Sequence, residues 1–169
     1  MDGAALYEED IYAWSQHQAA VLRRMAAMDP AALPNDLDLQ HVAEEIEDVG
    51  NEQRYAVESS LVQLFAHLIK IVALPDDSAV RHWTKEANAF LDTAESRYRP
   101  SMRRVLDPDR LWSRACRLAT RDLTTDGHAA PPVPEQCPFS LEELVSGEAD
   151  PRNLATRLAE AAAARSEGP

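Results

Sequence analysis

Cysteine is nearly absent: Cys116 and Cys137 are the only two in 169 residues, and no C-x-x-C spacing joins them. Neither a disulfide framework nor a cysteine zinc site is expected, and a reducing cytoplasm is the expected surrounding. Long apolar runs are missing too. The longest, Leu61 to Leu74, is broken by Gln63, His67 and Lys70, short of the ~18 residues of a membrane span. The opening MDGAALYEEDIYAW has no basic n-region and no apolar h-region, so no signal peptide is expected. There is no G-x-S-x-G, P-loop, dinucleotide fingerprint, H-E-x-x-H or catalytic-cysteine pattern. No alternating apolar–polar run supports a strand. Basic residues are scarce, 17 against 29 acids for a net charge of -12, which repels nucleic acid and anionic membrane at long range.

What is present is the composition of a globular chain, 45% hydrophobic and 27% charged, long enough for one domain with an ordinary core. The charge is unevenly spread. Residues 1–60 hold 13 acids and 3 bases, residues 61–123 hold 8 acids and 11 bases, and residues 124–169 hold 8 acids and 3 bases. A local basic face is therefore expected in the middle third.

Helical periodicity runs through the sequence. Tyr7, Ile11, Trp14, Val21, Met25 and Met28 recur at helical spacing. Asp29-Pro30 and Leu33-Pro34-Asn35 then break the pattern. Asp36 and Asp38 are candidate caps for a second helix, in which Val42, Ile46, Val49, Val57, Leu61, Leu64, Leu68 and Ile71 keep the period up to Pro75. That helix, about 35 residues and ~50 Å long, is apolar nearly all round from Leu61 onward, so other helices should wrap it. Gly50 permits a bend or a close approach. A third helix runs from near Ser78 to before Pro100. Asp107-Pro108 opens a fourth, which ends near Leu123. Residues 126–138, with Gly127 and several prolines, form a loop. Ser140-Leu141-Glu142-Glu143 resembles a capping box, and Asp150-Pro151 opens a last helix. Trp14 and Trp83 are expected to anchor the core.

Three polar constellations stand out. On the second helix His41, Glu44, Glu45, Asp48 and Glu52 share a sector of about 100°. Carboxylates and an imidazole at i, i+3, i+4 and i+7 are what a helix-borne metal site needs, with His41, Glu44, Glu45 and Asp48 as ligands. A solvated face complementing the helix dipole gives the same pattern without metal. On the fourth helix Arg110, Arg114, Arg117 and Arg121 form a stripe that suits phosphate or pairs with the acidic sector. His67, Lys70 and Arg81 make a second cluster. His67 reads more readily as a hydrogen-bonded core histidine than as a catalyst. Along one helix it lies about 22 Å from Glu52, so those two cannot share a site within one chain.

YEEDIYAW near the start, LDLQHVAEEIEDVG opening the long helix, HLIK closing it and CPFSLEELV near the end together resemble the bacterial helical proteins grouped as domain of unknown function 29. The likeness covers about residues 6–146. Position by position, Asp10, Trp14, Glu44, Glu45, Ile46, Glu47, Gly50, Arg54, His67, Lys70 and Trp83 carry the pattern. Val49 stands where leucine is expected, and Ile71 where a larger residue follows HLIK. The resemblance implies a compact α-helical domain and supplies no mechanism.

The expectation is an all-α fold: a bundle of four main helices around one long central helix, with a short helical C-terminal extension. Residues 1–125 form the bundle and residues 126–169 pack on it within a single domain. The expected role is a protein-interaction or regulatory module, whose partner is another protein or a second copy of the chain. The alternative is a metal-dependent hydrolase of a phosphate-containing substrate, with a divalent ion on the acidic face and Arg114 and Arg117 on the anion. Beyond that ion no cofactor is expected.

Overall fold

The computed structural model describes residues 3–28, 34 and 36–166. The breaks expected at Asp29-Pro30, Leu33 and Asn35 lie outside these residues. Among them the fold is all-α, without strands: α1 (Gly3–Glu9), α2 (Ile11–Ala26), α3 (Leu39–Ala73), α4 (Val80–Arg97), a 3-10 helix (Pro100–Arg104), α5 (Pro108–Thr125), α6 (Leu141–Leu144) and α7 (Pro151–Ser166). The chain divides into two compact units, residues 1–55 with 98–105, and residues 56–97 with 106–169. α5 and the segment that follows it lie in the same unit and share one aromatic cluster, Trp112 with Phe139.

In the first unit, the single helix expected from Tyr7 to Met28 is two helices. Asp10 interrupts it, accepting a hydrogen bond from Ala13 N at 2.8 Å as the N-cap of α2. The same carboxylate accepts from Ser101 Oγ at 2.7 Å and Ser101 N at 3.2 Å, so one side chain starts a helix and ties down the 3-10 turn. The buried face also differs from expectation. Tyr7 is 48% exposed and Met28 69%, while Tyr12, Ser15 and Ala19 are buried. The cause is a close helix crossing. A Cβ added at Gly50 would lie 2.0 Å from Ser15 Oγ, 3.1 Å from its Cβ and 3.3 Å from Tyr12 Cα. Small residues at the crossing let α2 and α3 touch backbone to backbone, and that contact outranks the larger apolar side chains in choosing the inward face.

The second unit is built around Val57 to Ile69. Val57, Leu61, Leu64, Phe65 and Leu68 have essentially no exposed surface. This charge-poor stretch makes α3 apolar enough to cross a membrane by length and composition, yet 61% of its most apolar window is buried inside the protein. Trp112 of α5 is the buried tryptophan; Trp14 and Trp83 are half-buried. Its ring meets Phe65 edge-on at 5.5 Å and Phe139 at 6.3 Å, and its Nε1 donates to the carbonyl of Pro134 at 2.8 Å. Cys137 N donates to Asp109 Oδ1 at 2.8 Å. These bonds pin the proline-rich loop to α5. Gly127 carries φ +82°, the left-handed conformation that lets the α5 terminus close with His128 N on Leu123 O.

Gly50→Ala tests the crossing. Alanine favours the helix by ~1 kcal/mol, but overpacking costs about 1–3 kcal/mol, so the variant is expected to be the less stable in urea unfolding. Adding Ser15→Ala should restore part of the loss; a variant as stable as the parent would show that the crossing relaxes freely.

Candidate functional site

The acidic sector of α3 does not converge. His41 Nδ1 and backbone N both bond Asp38, Gln40 Nε2 donates to Glu44 at 3.1 Å, and Asn51 Nδ2 to Asp48 at 3.4 Å. Arg23 pairs with Glu47. Neighbours three and four positions apart meet first on a helix, so His41, Glu44 and Asp48 are turned along the helix surface. Among the described residues no group of three or more His, Cys, Asp or Glu side chains is gathered as a metal site. The hydrogen bond that the His41 ring donates to Asp38 is the first cause raising His41 above its ordinary 6.5, with the charges of Asp38 and Glu44 adding to it; the same bond lowers Asp38 below 3.8.

The arginine stripe finds a different acid from the one expected. Glu58, only 5% exposed, lies 3.0 Å from Arg110 Nη2 and 3.7 Å from Arg114 Nη1. Arg121 lies 3.8 Å from Asp122. Arg117 stays exposed. Glu58, three positions before the apolar half of the helix begins at Leu61, was not singled out from sequence, and neither were its partners.

His67 is 6% exposed. Its Nδ1 lies 2.7 Å from the carbonyl oxygen of Gln63, and its Nε2 lies 2.8 Å from Glu86 Oε2, so both ring nitrogens have an oxygen partner. His82 Nε2 stands 3.3 Å from the same carboxylate oxygen. Lys70 sits over the Trp83 ring at 5.7 Å and 3.9 Å from Asp122. Arg81, grouped with His67 and Lys70 from sequence, does not join them. On α4, Trp83, Glu86 and Phe90 share one side, whereas Arg81, Thr84, Lys85 and Asn88 share another. Burial raises both thiols, that of Cys137 to about 11, so neither is a ready nucleophile.

Arg81 instead lines an apolar groove of about 800 Å³ between the end of α3, α4 and α7. Its walls are Ile71, Val72, Pro75, Val80, Pro151, Ala155 and Ala159. The polar groups in it are already occupied: Thr84 Oγ1 donates to Val80 O, Asn88 Nδ2 to Thr84 O and Thr156 Oγ1 to Arg152 O. The charged groups are not. Arg81, Lys85 and Arg152 are exposed and have no ion-pair partner among the described residues. Three cations without an ion-pair partner among the described residues thus stand beside an apolar floor in a chain of net charge -12. Lys85 and Arg152 escaped the sequence reading; Arg152 lies on a helix far along the chain, and only the packing of α4 against α7 brings it there.

The sequence profile of the domain of unknown function DUF29 matches residues 6–148. No curated protein matches the chain. Among solved structures, an alpha-helical protein of unknown function from Rhodospirillum rubrum is similar, with 28% identity and a TM-score of 0.82 over 90% of this chain and 96% of that one.

Two expectations follow. Removing Arg110 and Arg114 together by alanine weakens the compensation of a buried carboxylate and should lower unfolding free energy by about 1–3 kcal/mol; replacing Glu58 by leucine in that background should recover it. His41 should titrate above 6.5 by NMR and move back towards it in Asp38→Asn. The stabilisation from raising His41 is present below 6.5 and fades as pH rises through its folded pKa, whereas that from Asp38 is present above 3.8 and fades as pH falls. Unchanged titration in Asp38→Asn would leave the shift to the other acids.

Proposed function

The chain belongs to the DUF29 family of domains of unknown function, and from that premise we propose that it is a protein-interaction module whose second unit seats an acidic amphipathic helix of a partner in the α3–α4–α7 groove. The observation that carries this reading is the combination of apolar walls with Arg81, Lys85 and Arg152, none of them paired among the described residues. A partner helix lays its apolar side chains on Val72, Val80 and Ala155 and its flanking carboxylates against the three cations. Rim charges of this kind set on-rate and orientation, while the apolar contact supplies the holding energy.

The competing reading, a metal-dependent hydrolase, has less beneath it. Three of its four ligands, His41, Glu44 and Asp48, are engaged with their own helical neighbours, and Arg114, one of the two arginines assigned to the substrate, faces Glu58.

A labelled 18-residue amphipathic peptide, with leucines on one face and glutamates on both flanks, should bind the full chain in fluorescence anisotropy. A version with lysine in place of glutamate should bind at least 10-fold more weakly. Arg81→Glu with Arg152→Glu should invert that preference, and 0.5 M salt should weaken the acidic peptide in particular. Equal binding of both peptides, or none at 100 µM protein, overturns the reading.

A further inference from the structure

We infer that the partner seated in the groove is a second copy of this chain, presenting the outward stripe of the first half of α3; the inference rests on the groove reading above. Its independent support is where exposed apolar surface lies. Tyr7, Met25, Met28, Leu37, Val42, Val49, Tyr55 and Val105 are the exposed large hydrophobic residues among those described, and every one belongs to the first unit. The groove belongs wholly to the second.

On α3, Val42 is 39% exposed and Val49 44%. They stand two helical turns apart, about 10 Å by helical rise. Glu45 and Glu52 lie on the same stripe, within about 80° of Val42, and have no ion-pair partner among the described residues. The groove has the matching length. Arg81 to Asn88 on α4 and Arg152 to Ala159 on α7 each span two turns, again about 10 Å. Val42 and Val49 suit its apolar floor, and the carboxylates of Glu45 and Glu52 complement the cations that line it, Arg81, Lys85 and Arg152.

Charge also chooses the symmetry. Two acidic stripes facing each other would oppose Glu45 and Glu52 to their own copies, in a region with 13 acids and 3 bases. Stripe-to-groove contact joins opposite signs. Such a contact is heterologous: each copy offers a stripe to one neighbour and a groove to another, so assembly closes into a ring or continues as a chain.

Sedimentation velocity on the full chain from 5 to 200 µM tests this. In 50 mM salt the weight-average sedimentation coefficient should rise with concentration, and in 0.5 M salt the rise should shrink. Val42→Asp with Val49→Asp removes the stripe, and Arg81→Glu with Arg152→Glu removes the groove's charge. All four positions are exposed, and circular dichroism verifies folding. Each double variant alone should remain monomeric. Their equimolar mixture should form a one-to-one complex and nothing larger, because only one intact stripe and one intact groove remain. A parent chain monomeric at 200 µM overturns the inference, as does a groove variant that still assembles like the parent. If the parent is monomeric yet the acidic peptide binds the groove, the second copy is wrong and the groove reading stands. If neither associates, both fall.

Discussion

A helix that is apolar nearly all round is stable in water only when it is covered nearly all round, and Leu61 to Ile69 of α3 imposes that condition on the second unit. Leu61, Leu64, Phe65, Leu68 and Ile69 are essentially fully buried, each such side chain contributing ~1.5–3 kcal/mol over the exposed state. No one neighbouring helix shields a full circumference. The cover includes α4, through Glu86 and Phe90 against His67, α5, through Trp112 against Phe65, and Phe139 stacked on the same Phe65. Trp112 fastens that cover: its ring fills the space between Phe65 and Phe139, and its indole N–H satisfies Pro134. The groove follows from the same demand. Where α4 and α7 turn to cover the end of α3, their shoulders leave a concavity whose apolar walls are the margin of the core.

Polar groups that precede or interrupt this stretch are accommodated by partners. Glu58 receives two arginines, and His67 has an acceptor at each ring nitrogen. These contacts keep charge and dipole in places where unmatched groups would be costly. They also account for most of the charge in the second unit that looks functional in one dimension. Once they are assigned, Arg81, Lys85 and Arg152 are the cations left facing an apolar surface.

The first unit works under the opposite constraint. Its contact is close rather than broad, set by Gly50 against Ser15 and Tyr12. Small residues at a crossing bring backbones together but bury little area, so larger apolar side chains such as Tyr7, Met25 and Met28 stay outside. A unit organised in this way carries apolar surface to its exterior. The two units thus differ in how they treat apolar side chains: the exposed large ones among the described residues all lie in the first.

The family pattern, the all-α class and most helix limits were legible in one dimension. Pro75, Asp107-Pro108 and Asp150-Pro151 mark their boundaries through backbone sterics and capping bonds, which act within about four residues. The apolar circumference of α3 was legible for the same reason, as a period within one element. Asp10 as a helix break was not, because a carboxylate reads equally well as a surface residue until Ala13 and Ser101 bond it. The inward face of α2 was misassigned because side-chain size predicts burial only where helices pack at ordinary distance, and Gly50 brings them nearer. The partners of Glu58, 52 positions away in Arg110, the link from His67 to Glu86, and the meeting of Arg81, Lys85 and Arg152 belong to tertiary structure alone. Each depends on which faces of separate helices come into register, and that is settled by packing the whole apolar surface at once, information no local stretch of sequence contains.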